Sequence, residues 1–221
     1  MSVASKGDRS PRDHYITPIE LCNFFAEKVV AKWDTIFDIG AGDGRIGRAV
    51  FDKMCRRRGP PGGRQLKCNR VFVDVKPQTE PLPGETWIAD EYNKRQLEQV
   101  CSLKQKTVVV SNPPYSLMEH PYDLIVPTWS VLNNSAASGS QMWYLLRLDW
   151  LGARKRSEFI HVNPPAVQGL VTPRPKFMTH LGKNSTDSGE YAWFGWETGR
   201  DAYSCGSFIR SWIWKEAGRK Q

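Results

Sequence analysis

The stretch Thr35–Gly44, with the sequence TIFDIGAGDG, decides the fold of this 221-residue chain. Its first five residues are predicted to form a short buried strand, and alternating glycines follow at once. After them, apolar side chains recur at helical spacing from Ile46 onward. Glycines let the backbone turn sharply and let a ligand come close to the first turn of a helix. The stretch therefore predicts a strand, a glycine turn and a helix, with a ligand crevice where the strand ends.

Two acids narrow the class of that ligand. Asp38 and Asp43 flank the glycines, and the glycine spacing departs from the dinucleotide pattern GxGxxG. Two carboxylates would repel a pyrophosphate and attract a positively charged ligand, so the turn favours a cation. A turn that only joins a strand to a helix is one alternative. A nucleotide-dependent dehydrogenase, with an acid at Asp74, is another.

Strands and helices alternate on both sides of this turn. Thr17 is predicted to cap a helix that Glu20 supports through a capping box and that ends near Lys32. Further strands are predicted over residues 70–73, 85–88, 107–110 and 142–146. The alternation indicates an α/β fold: a single Rossmann-like domain with a mainly parallel central sheet and helices on both faces.

The last third of the chain is rich in prolines and aromatic residues. Residues 191–196 (YAWFGW) and 208–214 (FIRSWIW) are predicted to be aromatic strands, and we expect a C-terminal antiparallel hairpin that closes the sheet. Their tryptophans alternate with small or apolar residues, which favours core packing over a base-stacking platform. At the other end, residues 1–13 are polar and are predicted to be a flexible arm, followed by one domain over 14–221.

The composition is that of a globular protein with a polyanionic partner. Hydrophobic residues make up 40% of the chain, and 31 Lys and Arg against 23 Asp and Glu give a net charge of +8. The five cysteines form no CxxC motif, so neither a disulfide framework nor a metal site is expected. No apolar run is long enough to span a membrane, and the N-terminus does not resemble a signal peptide, so we expect a cytoplasmic protein.

A second motif, Ser111–Tyr115 (SNPPY), follows directly after the strand predicted over 107–110. Each proline pushes the residue before it out of helical geometry, so Asn112 and Pro113 are expected to stay extended. The side-chain oxygen of Asn112 and the carbonyl of Pro113 then form a fixed pair of hydrogen-bond acceptors, and Tyr115 offers a flat ring for stacking. A rigid exit from the strand, without a chemical role, is the alternative.

Together, FDIGAGDG and SNPPY resemble the class I S-adenosylmethionine-dependent methyltransferases that methylate exocyclic amino groups, above all small phage-type DNA adenine-N6 methyltransferases. The segment HYITP at residues 14–18 resembles the N-terminal cofactor segment of that family, and RPKF at 174–177 with YAWFGW resembles its C-terminal hairpin. The resemblance covers roughly residues 14–196. It includes no long target-recognition domain, so a short or relaxed recognition sequence is expected.

The resemblance implies S-adenosylmethionine as cofactor, with S-adenosylhomocysteine as product. Thr17 would lie near the carboxylate of the cofactor, Asp74 would take its ribose hydroxyls and Asp90 would lie near its adenine amino group. The full set of cofactor-binding candidates is Tyr15, Thr17, Asp38, Gly40, Gly42, Asp43, Asp74, Asp90 and Asn112. The catalytic candidates are Asn112, Pro113, Pro114 and Tyr115.

The expected chemistry follows from the paired acceptors. Hydrogen bonds from an adenine N6 amino group to Asn112 and Pro113 would draw the nitrogen toward tetrahedral geometry and turn its lone pair to the methyl donor. This step needs neither a metal nor a covalent intermediate. The target adenine would have to be flipped out of duplex DNA, with stacking on Tyr115 offsetting part of the cost. We therefore expect DNA as partner, without metal or membrane.

Two basic clusters are predicted to contact phosphates, which would give affinity without sequence readout. The candidates are Arg56, Arg57, Arg58, Arg64 and Lys67 in the first cluster and Arg154, Lys155 and Arg156 in the second. Solvated basic loops without a ligand are the alternative.

The function as a whole has alternatives too. They are the same reaction on RNA or on a protein glutamine amide, and a non-catalytic nucleic-acid-binding relative of the same fold. The resemblance adds the expectation of a phage or mobile-element origin, with action in the host cytoplasm.

Overall fold

The computed structural model describes residues 16–29, 31–57, 67–114, 123–152, 154–178, 184–185, 189–199 and 208–215. Several predictions fall outside these ranges: the arm over residues 1–13, Tyr15, Arg58, Arg64 and Tyr115. For Lys155 the backbone is described but the side chain is not. The roles given to these residues stay predictions.

The part of the chain that the structure describes contains helices and strands in alternation. The helices are α1 (Ile19–Lys28), α2 (Arg45–Arg56), α3 (Lys94–Glu98), α4 (Ile125–Ser135) and α5 (Arg154–Val162). The strands are β1 (Thr35–Ile39), β2 (Asn69–Val73), β3 (Glu85–Ile88), β4 (Thr107–Ser111), β5 (Gln141–Arg147), β6 (Val167–Thr172), β7 (Phe177–Met178), β8 (Asn184–Ser185), β9 (Tyr191–Glu197) and β10 (Phe208–Ile213). A 3₁₀ turn, Leu148–Gly152, joins β5 to the region of α5.

Eight strands form one sheet in the order β10-β6-β9-β5-β4-β1-β2-β3, and β7 and β8 form a separate pair. The five strands from β5 to β3 in this order are mutually parallel, with β1 in the centre. β9 runs antiparallel between β5 and β6. The predicted mainly parallel sheet is therefore confirmed, and so is a C-terminal antiparallel hairpin, but it is formed by β6 and β9 rather than by the two aromatic strands. β10 pairs in parallel with β6, so β6 separates the two aromatic strands.

The helices cover both faces of the sheet, as the alternation predicted. α1 and α2 pack on one face, where Phe25 and Val50 share a core with Val108 of β4. α3, α4 and α5 pack on the other face, where Leu132 shares a core with Val109. Val108 and Val109 are consecutive and therefore face opposite sides of the strand. Both faces of the central strands are buried, which explains their continuous apolar sequences.

The C-terminal tryptophans belong to this core. Trp193 and Trp196 of β9 and Trp212 of β10 are buried. The ring of Trp193 stacks on Phe25 of α1, with 3.8 Å between the ring centroids. The expectation that these rings pack in the core, rather than form a stacking platform, is confirmed.

The start of α1 differs from the prediction. The helix begins at Ile19, Pro18 occupies the N-cap position, and no side chain caps the first turn. The hydroxyl of Thr17 is engaged elsewhere, since it accepts a hydrogen bond from Nδ2 of Asn112 at 2.9 Å. The predicted Thr17 cap and its capping box with Glu20 are therefore wrong, because the helix starts one residue later than expected and the Thr17 oxygen contacts a residue distant in sequence. The helix also ends earlier than expected, at Lys28.

The strand directions give the sheet two distinct edges. The carboxyl ends of β1 to β5 share one edge, called here the cavity edge, and their amino ends share the opposite edge. A helix that follows a parallel strand returns the chain from the cavity edge to the opposite edge. None of the helices in the described ranges has the length and apolar character needed to cross a membrane.

Candidate active site

A cavity of about 450 Å³ lies at the carboxyl ends of β1, β2, β3 and β4. Small-molecule sites commonly enclose roughly 300–1,000 Å³. The predicted site residues that line the cavity are Thr17, Gly40, Gly42, Asp43, Asp74, Asp90, Asn112, Pro113 and Pro114. The structure thus brings the glycine turn and the proline motif together in one place.

The glycine turn forms one wall of the cavity. Gly40 and Gly42 have φ of 63° and 58°, in the region that glycine adopts without strain. Asp74, at the end of the neighbouring strand, fixes the turn because its Oδ2 accepts a hydrogen bond from the Gly42 N–H at 2.8 Å. Gly40 lies beside the proline motif, since a Cβ built on it would be 3.9 Å from Cδ of Pro114. The two motifs therefore form a continuous wall.

Asp38 lies behind this wall. Its side chain is buried, and its Oδ2 accepts a hydrogen bond from the Gly47 N–H at 2.9 Å. Burial raises the pKa of the carboxyl group to about 8, and the other oxygen has no hydrogen-bond partner among the described residues. Asp38 is not among the residues that line the cavity. Its position holds the first turn of α2, and its contact with a cofactor stays a prediction.

Arg45 is a cavity residue that the sequence analysis missed. Its Nε donates to both oxygens of Asp43, at 2.9 and 2.8 Å, and one terminal nitrogen contacts the same carboxylate. Its Nη1 donates to the carbonyl of Thr17 at 2.8 Å. Burial disfavours the charge, but the bonds to Asp43 outweigh it and raise the pKa of Arg45. The available signal was a basic residue at the first helical position after the glycine turn.

Asn112 is held from two sides. Its Nδ2 donates to Oγ1 of Thr17 at 2.9 Å, and this bond turns the Oδ1 end of the amide the other way. The preceding residue, Ser111, donates from Oγ to the carbonyl of Ile39 at 2.7 Å, which ties the end of β4 to the end of β1. Pro113 continues the cavity wall. Asn112 and Pro113 therefore line the cavity at a braced strand end, and their role as paired acceptors stays a prediction.

The cavity lining is strongly acidic. Its carboxyl groups belong to Asp43, Asp74, Asp90, Glu91 and Asp123, and Arg45 is the one basic side chain among the described residues of the lining. An excess of carboxylates attracts cations and repels phosphates. The interpretation in favour of a cationic ligand is therefore supported. Of the two acids that suggested it, Asp43 lines the cavity and Asp38 does not.

One further feature of the lining is its apolar wall, which includes Val75 and Tyr92. The hydroxyl oxygens of Tyr92 and Thr128 are 3.0 Å apart, and burial raises the pKa of Tyr92 to about 12. Tyr92 therefore presents a neutral ring, suited to a flat heterocycle. Within the described ranges, no three His, Cys, Asp or Glu side chains are grouped to hold a metal ion.

The second basic cluster lies on the cavity edge. Arg154 and Arg156 stand in the first turn of α5, which follows the carboxyl end of β5. β5 is the neighbour of β4, the strand that leads into Asn112. Arg154 is exposed, and the guanidinium of Arg156 lies 5.1 Å from the ring centroid of Trp150.

The described residues of the first basic cluster, Arg56, Arg57 and Lys67, lie on the opposite edge. Arg56 and Arg57 stand at the C-terminal end of α2, whose first residue, Arg45, lines the cavity. At 1.5 Å per residue, α2 carries the chain about 17 Å from the cavity. Lys67 precedes the amino end of β2. The structure thus separates the two clusters that the sequence analysis treated alike.

Comparison with known proteins identifies relatives of the fold. No protein-family model and no curated protein sequence matches the chain. Among solved structures, a protein described as the modification subunit of a type I restriction enzyme from Vibrio vulnificus has a TM-score of 0.57 and 13% identity. The match covers 98% of this chain and 50% of that one, so the chain spans about half the length of the Vibrio subunit.

Two further structures agree. The M protein of the type I restriction enzyme EcoKI gives a TM-score of 0.58 at 10% identity, with 85% of this chain and 44% of that chain covered. A protein from Listeria monocytogenes, described as a class I S-adenosylmethionine-dependent methyltransferase, gives a TM-score of 0.54 at 12% identity. The match covers 87% of this chain and 63% of that chain. The fold is the Rossmann-like fold of these methyltransferases.

Proposed function

We propose that this protein is an S-adenosylmethionine-dependent methyltransferase that methylates the N6 amino group of adenine in DNA, with short or relaxed sequence specificity. The observation that carries the proposal is that the glycine turn and Asn112–Pro114 line one acidic cavity at the cavity edge. A rigid strand exit without chemistry would not require the proline motif to share a ligand-sized cavity.

The residues of the cavity fit the proposed cofactor. S-adenosylmethionine supplies a methyl group on a positively charged sulfur, and the acidic lining suits that charge. Asp74 and Asp90 are the acceptors proposed for the ribose hydroxyls and the adenine amino group. Val75 and Tyr92 offer an apolar wall for a flat ring. Bound NAD would instead bring a pyrophosphate against the same carboxylates.

The catalytic work assigned to the protein is positioning. The Asn112 amide oxygen and the Pro113 carbonyl accept the two N–H bonds of the target amine, so the nitrogen lone pair is aimed at the methyl group. Thr17 holds Nδ2 of Asn112 and thereby keeps the amide oxygen in the accepting orientation. Tyr115, outside the described residues, is the proposed stacking partner of the flipped base.

DNA is the proposed substrate for two reasons. The Arg154 and Arg156 cluster lies on the cavity edge, beside the strand that leads into Asn112, where phosphates flanking a flipped base would be expected. Two of the fold relatives are described as parts of type I restriction enzymes, one as a modification subunit and the other as the M protein. Both observations support nucleic acid over a protein amide, and the second supports DNA over RNA.

The test is transfer of a labelled methyl group from S-adenosylmethionine to unmethylated duplex DNA, RNA or protein, with digestion and nucleoside analysis. The expected product is N6-methyldeoxyadenosine from DNA, formed far more slowly with Asn112→Ala. Label on RNA, on protein or on another base would overturn the assigned substrate. No transfer to any substrate, with a folded protein, would overturn the proposed activity.

A further inference from the structure

We propose that Arg45 forms the subsite for the carboxylate of the amino-acid end of the cofactor, with Asp43 and the Thr17 carbonyl holding the guanidinium in place. The inference rests on the proposed function, because it assigns a residue to one end of the proposed cofactor. Neither sequence motif pointed to Arg45.

The first reason is the supply of hydrogen-bond donors. A guanidinium carries five N–H groups. Arg45 directs Nε and one terminal nitrogen to Asp43, and Nη1 to Thr17. Two N–H groups therefore have no acceptor among the described residues, and the side chain keeps 22% of its surface exposed at the cavity. Guanidinium N–H donors of this kind form charge-assisted hydrogen bonds to the oxygens of a carboxylate.

The second reason is charge. The amino-acid end of S-adenosylmethionine carries an ammonium and a carboxylate, next to the sulfonium. The cavity offers carboxylates for the two cationic groups, but a carboxylate in an acidic cavity needs a cation. Arg45 is the one basic side chain among the described residues of the lining. The single anionic group of the ligand therefore matches Arg45, the single cation among the described lining residues.

The third reason is rigidity. Arg45 is the first residue of α2, and the helix N-terminus adds positive potential at the same point. The bonds to Asp43 and Thr17 fix the side chain before a ligand arrives, so little side-chain entropy is lost on binding. Asp43 thus acts as a positioning residue for Arg45, and the acid of the glycine turn serves the subsite through the arginine.

The test compares two ligands that differ only in the carboxylate: S-adenosylhomocysteine and its decarboxylated analogue. Dissociation constants are measured by calorimetry for the wild type, Arg45→Gln and the control Lys53→Gln, which removes a positive charge from the same helix at a residue that does not line the cavity. Arg45→Gln is expected to raise the dissociation constant of S-adenosylhomocysteine about tenfold or more. The dissociation constant of the analogue is expected to change by no more than about threefold. Lys53→Gln is expected to leave both affinities unchanged, because Lys53 pairs with Glu27 away from the cavity.

Each other outcome has a distinct meaning. Equal weakening of both ligands by Arg45→Gln would overturn the subsite, because the arginine would then only brace the glycine turn. If Arg45→Gln does not fold, the wild type alone decides. The wild-type protein is then expected to bind S-adenosylhomocysteine about tenfold more tightly than the decarboxylated analogue, although the acidic cavity favours the more cationic analogue. Equal affinity for the two ligands would overturn the subsite. If the wild type binds neither ligand, the proposed function fails, and the subsite with it.

Discussion

The two edges of the sheet each hold a cavity, and the two cavities are built in opposite ways. The cavity edge gathers acids from several strand ends around glycine and proline turns. The opposite edge has a cavity of about 360 Å³ whose charged lining is Lys28, Arg210 and Glu197. Its walls include Trp143 and Trp212, with ring centroids 5.9 Å apart. Turns that follow parallel strands can present converging polar groups, whereas the cavity at the opposite edge is lined by large rings.

The separation of two residues along the chain does not show whether they lie at the same edge of the sheet. Thr17 and Asn112 are 95 positions apart and share a hydrogen bond of 2.9 Å. Arg45 and Arg56 belong to one helix and lie at opposite edges. A site in this fold is assembled from successive strand ends, and a helix carries its last residues away from that site.

The largest expected effect comes from removing one amide side chain at the cavity edge, compared with removing the same side chain at the opposite edge. Asn112→Ala removes one of the two acceptors for the target amine and is expected to lower kcat about 10²-fold or more, with cofactor affinity nearly unchanged. The matched control is Asn69→Ala, at the amino end of β2 on the opposite edge. Single-turnover methyl transfer measures both. Near-normal turnover of Asn112→Ala would contradict the catalytic assignment.

A second comparison uses the basic clusters. A plot of log affinity for DNA against log salt concentration has a negative slope. Changing Arg154 and Arg156 to glutamine is expected to make this slope less steep by about 1.8, if each arginine contacts one phosphate. The same change at Arg56 and Arg57 is expected to have a smaller effect, because the opposite edge is remote from the cavity. Binding titrations from low to high salt provide the slopes. A larger loss from the Arg56 and Arg57 pair would move the nucleic-acid surface to the opposite edge.

A third comparison concerns two buried threonines. Thr17→Val removes the acceptor for Asn112 and is expected to reduce kcat about 3- to 10-fold, with recovery in Thr17→Ser. Thr198, on the opposite edge, accepts from the Ser140 N–H at 3.1 Å, so Thr198→Val is expected to lower the free energy of unfolding without changing kcat. Steady-state kinetics and urea unfolding separate the two effects. Unchanged kcat in Thr17→Val would remove Thr17 from the site.

The smallest expected effect compares two glycines with positive φ. Gly44 has φ of 75° and Gly139, before β5, has φ of 81°, so alanine costs about 1–2 kcal/mol at either position. A Cβ on Gly44 would also lie 3.0 Å from the Trp87 ring and 3.2 Å from the Phe72 ring. On Gly139 it would meet only the end of the flexible Lys106 side chain, at 3.1 Å.

Gly44→Ala is therefore expected to lower the free energy of unfolding about 1 kcal/mol more than Gly139→Ala. Urea unfolding of the two variants gives this difference directly. Equal losses in the free energy of unfolding would show that the Trp87 and Phe72 rings move aside without lowering stability.

Much of the fold could be predicted from the sequence, because its signals are local. Apolar runs between turn residues located β1 to β5, and alternation with helices predicted a parallel sheet. The partner of β10 could not be predicted, since the aromatic strands carry no local signal for their order. For the same reason the pairing of Thr17 with Asn112 was missed, although Thr17 itself was a candidate.

The site was predicted in outline for a related reason. The glycine turn and SNPPY each follow a strand, and strand ends of a parallel sheet share an edge. The basic residues were harder to place, because charge alone does not tell which edge a residue occupies. Counting residues along α2 would have assigned Arg56 to the opposite edge. The role of Arg45 could not be predicted from the glycine motif, because it depends on contacts with Asp43 and Thr17.

A crystal structure with bound S-adenosylhomocysteine tests the central claim most directly. The ligand is expected in the cavity at the carboxyl ends of β1 to β4, with its amino-acid end at Arg45 and its sulfur facing Asn112 and Pro113. A ligand bound elsewhere, or one whose sulfur faces away from the Asn112 amide, would contradict the claim that this edge of the sheet carries the chemistry.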